Sequence, residues 1–300
     1  MQFLFLCVLL FLHQTAASVP SSSSGAMYGS GGGLFGARPR NSLGPQSGSY
    51  TSSSQAPSST QSLPLSTFAT RDSRNGFIRK VYSIFLVQMV STIGVTAAIM
   101  QNDDLKHFLL RHYPVIGTAS TLLSAAAALL LVGSKSLRQT APANLILLGI
   151  YTLMQSVTVG TFSSLVNPRT VCLGTMHTLS ALAALTLYSF NAQRDLTTAG
   201  STLLACSATG IVGLVLSSVF HMPLMDNLIS AGLAVLFAAY LAYDTQMIVG
   251  GHKRKNQYDS KEYILAALSL YQDVIALFMQ VMRILIWLDE KQKNRYQRQQ

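Results

Sequence analysis

The sequence predicts an all-α membrane protein, a bundle of seven transmembrane helices preceded by a disordered N-terminal tail. Three observations predict it. Charged residues are 11% of the 300 residues, against roughly 25% in ordinary soluble domains. Mean hydropathy is +0.36, although the first 70 residues are largely polar. The apolar residues therefore concentrate in runs of about 20, the length that crosses ~30 Å of hydrocarbon. A soluble fold would need several helices apolar on every side, more than one core of this size could bury.

Residues 1–18, MQFLFLCVLLFLHQTAAS, are an apolar, signal-like segment. The run from Phe3 to Leu12 is about ten residues, too short to span and right for a signal h-region. Ala16 and Ser18 suit a cleavage site, but no Lys or Arg precedes the run. It reads as a cleaved signal, an uncleaved apolar end or a misassigned start. Residues 19–76 are a Ser-, Gly- and Pro-rich tail, with no acid and only Arg38 and Arg40 charged up to residue 70. Such a composition cannot bury enough apolar surface to fold, so disorder is expected. The membrane domain follows at 77–290 and a basic C-terminal tail at 291–300.

The spans are placed at 81–100, 114–132, 144–166, 171–190, 200–220, 227–247 and 264–288. Scattered Gly, Ala, Ser and Thr let their backbones approach closely. Short connections make neighbours antiparallel. Lys and Arg near span ends set the orientation. Arg71, Arg74, Arg79 and Lys80 precede span 1, and Lys135 and Arg138 lie between spans 2 and 3. Arg194 lies between spans 4 and 5, and Lys253, Arg254, Lys255 and Lys261 between spans 6 and 7. That side is expected to be cytosolic. The opposite loops carry only Lys106, Arg111 and Arg169. Lys291, Lys293, Arg295 and Arg298 count the other way, so the charge rule leaves open whether span 7 crosses fully or is re-entrant.

The formal charge is +10. Because the Lys and Arg flank apolar spans, they read as orientation signals and headgroup contacts. No aromatic-interleaved basic patch suggests a nucleic-acid partner. Cys7, Cys172 and Cys206 have no spacing of a disulfide framework or zinc site. No cofactor is expected.

Two aspartates carry the functional reading. Asp244 lies in LISAGLAVLFAAYLAYDTQMIVGG, and Asp273 in YILAALSLYQDVIALFMQVMRILIWL. An ionisable group within hydrocarbon usually faces the bundle interior and marks a proton or ion path. Two carboxylates meeting there share a proton more readily than they hold two charges. A shared proton links the two helices, and its loss adds repulsion. The same oxygens could transiently hold Ca²⁺, a hard cation. The bland alternative is an interfacial Asp244 or Asp273 that caps a helix or pairs with Lys253 or Arg254. Arg138, His177 and Arg283 are carried as supporting residues. Arg283 lies ~15 Å along the helix from Asp273 and reads as a snorkelling residue. His177 in CLGTMHTLSAL reads as a structural histidine or a proton relay. Gln88 and Gln155 read as interhelical hydrogen bonders.

Five segments in order carry a resemblance: FIRKVYSIFLVQ, ANLILLGIYTL, LTLYSF followed by RDLT, AYDTQMIVGG at 242–251 and EYILAALSLYQDVIALF at 262–278. Over residues 77 to 288 the chain resembles the transmembrane Bax-inhibitor-motif family, its Lifeguard branch in particular. The resemblance implies a seven-helix bundle with helix 7 near the centre. It also implies a pH-sensitive Ca²⁺ leak, usually from internal stores, and protection from cell death. The membrane would be the endoplasmic reticulum or Golgi, with the plasma membrane as an alternative. In the family the two motif aspartates form the proton-sharing pair, here Asp244 and Asp273. The pore would be monomeric, its partners the bilayer, Ca²⁺, and death-pathway or calcium-channel membrane proteins.

Two departures stand out. Some bacterial relatives add a carboxylate within helix 2 and an arginine near its end. Span 2 here has no charge, and Arg138 is a loose match. The tail is Ser/Gly-rich rather than Pro/Tyr-rich as in much of the animal branch. An intramembrane aspartyl protease also pairs two membrane aspartates, one in a YD motif like Tyr243–Asp244. The GxGD and PAL motifs are missing, so no enzyme is expected. A non-conducting scaffold for death-pathway or channel partners is the remaining alternative.

Overall fold

The computed structural model describes residues 71–220, 222–251 and 254–299. The expected signal-like segment and most of the expected disordered tail lie outside them. The described residues form nine α-helices and no strand. They are α1 Arg71–Gln101, α2 Asp103–Arg111, α3 Tyr113–Gly133, α4 Lys135–Gln139 and α5 Ala143–Ser164, then α6 Pro168–Asn191, α7 Gly200–Val219, α8 Pro223–Val249 and α9 Tyr263–Gln299. Seven are long and apolar enough to cross a membrane: all except α2 and α4.

The span positions agree with the sequence reading to within a few residues, except at the two ends of the domain. Residues 71–76, assigned to the tail, open α1 instead. The reason is Arg74, which is buried against α8 and the loop after it. At the other end, residues 291–299 continue α9 without a break. An ion pair from Lys293 to Asp289, one turn back at 2.8 Å, supports this extension. The chain's single tryptophan, Trp287, lies just before it, with the Lys291 Nζ 4.6 Å from its ring centroid. The short helices α2 and α4 were not anticipated. Each starts with a side-chain cap, Asn102 accepting from Leu105 N and Ser134 from Leu137 N.

Helix α9 is the axis. In its most apolar stretch 94% of residues are buried, against 50% or less in the other spans. Spans α1, α3 and α5 pack together on one side, and α6, α7 and α8 on the other, with α9 in contact with both groups. In the first group Phe85, Leu131 and Tyr151 join Tyr271 and Leu268 of α9. In the second Ile211, Leu214 and Phe237 join Leu277 and Val281. Polar bonds cross between spans as expected: Gln88 Nε2 donates to Thr152 Oγ1 at 2.9 Å, and Ser124 Oγ to Gln155 Oε1 at 3.1 Å. One glycine sets a close approach. A Cβ on Gly160 would lie 3.3 Å from the Thr96 Cα of α1.

The segments rich in Lys and Arg meet at one end, called here the basic end. The last carbonyls of a helix have no partner within it, and arginines from elsewhere supply partners. Arg74 donates to Val249 O at 3.0 Å and Met247 O at 2.9 Å, closing the end of α8. Arg254 donates to Ala192 O at 2.8 Å and Ser189 O at 3.2 Å, closing α6, and to Arg194 O at 2.6 Å. Gly250, at φ 58° and ψ −148°, turns the chain beneath Arg74 in a conformation essentially confined to glycine. Since α9 starts at this end and runs as one helix to Gln299, residues 291–299 lie at the opposite end. The helix is continuous and long enough for a full crossing.

Candidate functional site

Asp244 comes from the second-last turn of α8, and Asp273 from the third turn of α9. They are 4% and 2% exposed. Their carboxyl groups are neighbours between the two helices. Ser269, one turn before Asp273 on α9, donates its hydroxyl to Asp244 Oδ2. Tyr258, from the loop between α8 and α9, donates to Ser269 Oγ at 3.1 Å. Burial, and then the charge of neighbouring Asp244, pushes the Tyr258 phenol well above its ordinary value. It therefore remains a hydrogen-bond donor throughout the physiological range. Asp273 Oδ2 has no hydrogen-bond partner among the described residues.

The surroundings fix both helices. Gln246, fully buried, accepts from Leu196 N at 2.8 Å. Ser189 Oγ donates to Ala242 O at 3.1 Å. On α9, Tyr271 shares a 2.7 Å hydrogen bond with Thr92 of α1, and Gln272 accepts from Tyr151 of α5. The aspartates thus sit between helices whose neighbouring residues are already bonded to other spans. Asp244 does not pair with Arg254, whose guanidinium is taken by the α6 carbonyls. Lys253 lies outside the described residues.

The other residues singled out from sequence lie elsewhere. Arg138 is at the basic end, bonded through Nε to Glu262 Oε2 at 2.7 Å and through Nη2 to Oε1 at 3.1 Å. It also donates to Val132 O at 2.7 Å. This bidentate pair ties the end of α3 to the start of α9. His177 is exposed on α6 and does not reach the pair. Arg283 is partly buried on α9, with Asp226 and Tyr113 as its charged and phenolic neighbours. Its Nε lacks a partner among the described residues, as does Gln280 Oε1. Ser269, Asp273, Gln280 and Arg283 are spaced 4, 7 and 3 apart, which puts them on one face of α9. This row leads from the pair toward the opposite end of the bundle.

Sequence reasoning missed Ser269, Tyr258 and Glu262. Ser269 could have been found from its four-residue spacing to Asp273. Glu262 could have been found as the acid opening span 7 opposite a lone arginine. Nothing local marks Tyr258. Chemically, the site can exchange a proton between two carboxyls held against a serine and a tyrosine donor. It can also offer carboxylate oxygens to a hard cation. Among the described residues, no third His, Cys, Asp or Glu completes a metal cluster.

Comparison with known proteins agrees with this architecture. The family described as Inhibitor of apoptosis-promoting Bax1 matches residues 74–290. Human "Protein lifeguard 3" is 29% identical over 219 residues, covering 72% of this chain and 70% of the relative. The "Golgi anti-apoptotic protein" of vaccinia virus (strain Lister) is 30% identical over 212 residues, 71% of this chain and 85% of the relative. The "BI1-like protein" of Arabidopsis thaliana is 32% identical over 222 residues, 71% of this chain and 80% of the relative.

Proposed function

The chain belongs to the family of inhibitors of apoptosis-promoting Bax1, and from that premise we propose that it restrains cell death as a pH-sensitive Ca²⁺ leak of an intracellular membrane. The names of two relatives, a lifeguard protein and a Golgi anti-apoptotic protein, support the protective role and a Golgi location. The observation that carries the leak is the buried Asp244–Asp273 pair on adjacent spans. With one shared proton, the pair holds α8 to α9. Without it, two like charges stand side by side in a low-dielectric interior and repel. The row from Asp273 through Gln280 to Arg283 supports a polar route to the far end. Basic residues at the other end orient it to the cytosol by the positive-inside rule. Ca²⁺ is the transported ion, held transiently by the two carboxylates and not as a resident cofactor.

The test is Ca²⁺ flux into liposomes that contain only this protein, at pH 6, 7 and 8. It is repeated with Asp244→Asn and with Asp273→Asn. Flux that varies with pH, and loses that variation in either variant, is the expected result. Flux that rises with pH assigns opening to repulsion. Flux that falls assigns it to carboxylates that retain Ca²⁺. Folded protein with no flux above empty liposomes would overturn the leak and leave a non-conducting scaffold.

A further inference from the structure

The face of α9 opposite the aspartates has a gap beside it. At 100° per residue, Val274, Ile275 and Phe278 point away from the row of Asp273, Gln280 and Arg283. These three form the floor of a cavity of about 550 Å³ between α1 and α6. Its size falls within the range of small-molecule sites. It exists because α1 packs mainly on α5 and α9, and α6 mainly on α8 and α9. Neither fills the space between them over the half of the bundle remote from the basic end.

The walls are less polar than their residue names suggest. Thr175 and Thr178 of α6 turn their hydroxyls back to Val171 O and Gly174 O, each at 2.9 Å. Thr92 bonds Gln88 O, Ser156 and Tyr271. Each of these threonines has its hydroxyl occupied within the protein. The mouth is rimmed by Ile93 and Leu179, which are 45% and 39% exposed on the outer surface of their spans. It is therefore continuous with the lipid-facing surface of the bundle. Polar groups appear toward the end of α1, where Thr96 Oγ1 has no partner among the described residues and Gln101 is exposed. The cavity thus has a long apolar part and one polar end, the polarity of an acyl chain and its carbonyl. Water does not fill apolar space at this depth, and apolar cavities take apolar ligands.

We infer that this cavity holds one acyl chain of a bilayer phospholipid, its ester end toward Thr96 and Gln101 and its methyl end against Met89 and Val274. The chain props α1 apart from α6 and presses on α9 one turn from Asp273. The inference requires only that the bundle spans a membrane, and it is independent of Ca²⁺ conduction.

Both cysteines are exposed, but Cys172 lines this cavity and Cys206, on α7, does not. The test measures alkylation of both thiols by N-ethylmaleimide in delipidated, detergent-solubilised full-length protein. Rates are compared with and without palmitoyl-oleoyl phosphatidylcholine. The expected result is several-fold slowing at Cys172 with Cys206 unchanged. Ala97→Phe, which fills the cavity from α1, should slow Cys172 without lipid and abolish the further effect of lipid. Slowing by free oleate but not by phospholipid would assign the site to fatty acid and overturn the inference as stated. Equal slowing of both thiols, or of neither, would overturn it altogether. The wild-type comparison decides this even if Ala97→Phe fails to fold. Because no flux is measured, a negative result leaves the leak untouched, and a failed leak leaves this site untouched.

Discussion

At the basic end of the bundle, Arg74, Arg138 and Arg254 bond across α3, α6, α8, α9 and their loops. At the opposite end, Arg283 keeps its Nε without a partner among the described residues, and α1 and α6 stand apart around a cavity. The same residue type thus does different work at the two ends. At the basic end each guanidinium completes a helix terminus or meets a carboxylate. At the other end it faces the bundle interior near Asp226 and Tyr113. The difference teaches where movement meets resistance. The aspartate pair lies near the fastened end, about one turn before the last residues of α8. On the proposed reading, the barrier is at the basic end and access is from the other.

The comparison breaks most directly at Arg74. Arg74→Ala leaves the carbonyls of Met247 and Val249 without their cap and should destabilise the protein by about 3 kcal/mol. A thermal midpoint in detergent equal to wild type would show that this end is not fastened there. The Arg138–Glu262 pair is partly exposed, so its coupling should be about 1 kcal/mol, measured by a double-mutant cycle with Arg138→Ala and Glu262→Ala. On the proposed reading, either variant also raises Ca²⁺ flux at every pH. Arg283→Met tests the other end. An interior guanidinium replaced by an apolar side chain of similar length should change stability by less than about 1 kcal/mol. A loss as large as that for Arg74 would erase the contrast.

The smallest effect belongs to Asp195, beside the basic end. Desolvation raises its carboxyl, but hydrogen bonds from the Thr197 hydroxyl and the Lys255 and Thr197 amides, with the charge of Arg254, together outweigh it and hold the carboxyl below the ordinary 3.8. A lowered value contributes stability that is complete above the unfolded value and lost as pH falls through the folded one. Wild type should exceed Asp195→Asn by a few tenths of a kcal/mol, constant from neutral pH down to mild acid. The gap should close only below 3.8. A gap that closed near neutrality would point to another group.

The spans were legible because run length alone identifies them, and the aspartates because a carboxylate in hydrocarbon needs a reason to be there. The start of α1 was not. Arg71 to Gly76 reads as a charged lead-in, and Arg74 is buried against carbonyls 173, 175 and 184 residues away. The extension of α9 was hidden because apolar content stops at its exit while helical spacing continues. His177 shows a different limit. Its span is apolar on nearly every side, so the sequence cannot tell the face toward neighbours from the face toward lipid. Tyr258 belongs to a loop, where no periodicity predicts which side chain returns to the site. Ser269 is the opposite case, since its helical spacing to Asp273 was available from the start.

The lone tryptophan has a practical consequence. Trp287 sits on the same rigid helix as Asp273, with the Lys291 ammonium over its indole. A tilt or axial shift of that helix changes both the polarity around the indole and the charge upon it. Ultraviolet emission from the unlabelled protein is therefore a native optical gauge of how the central helix moves.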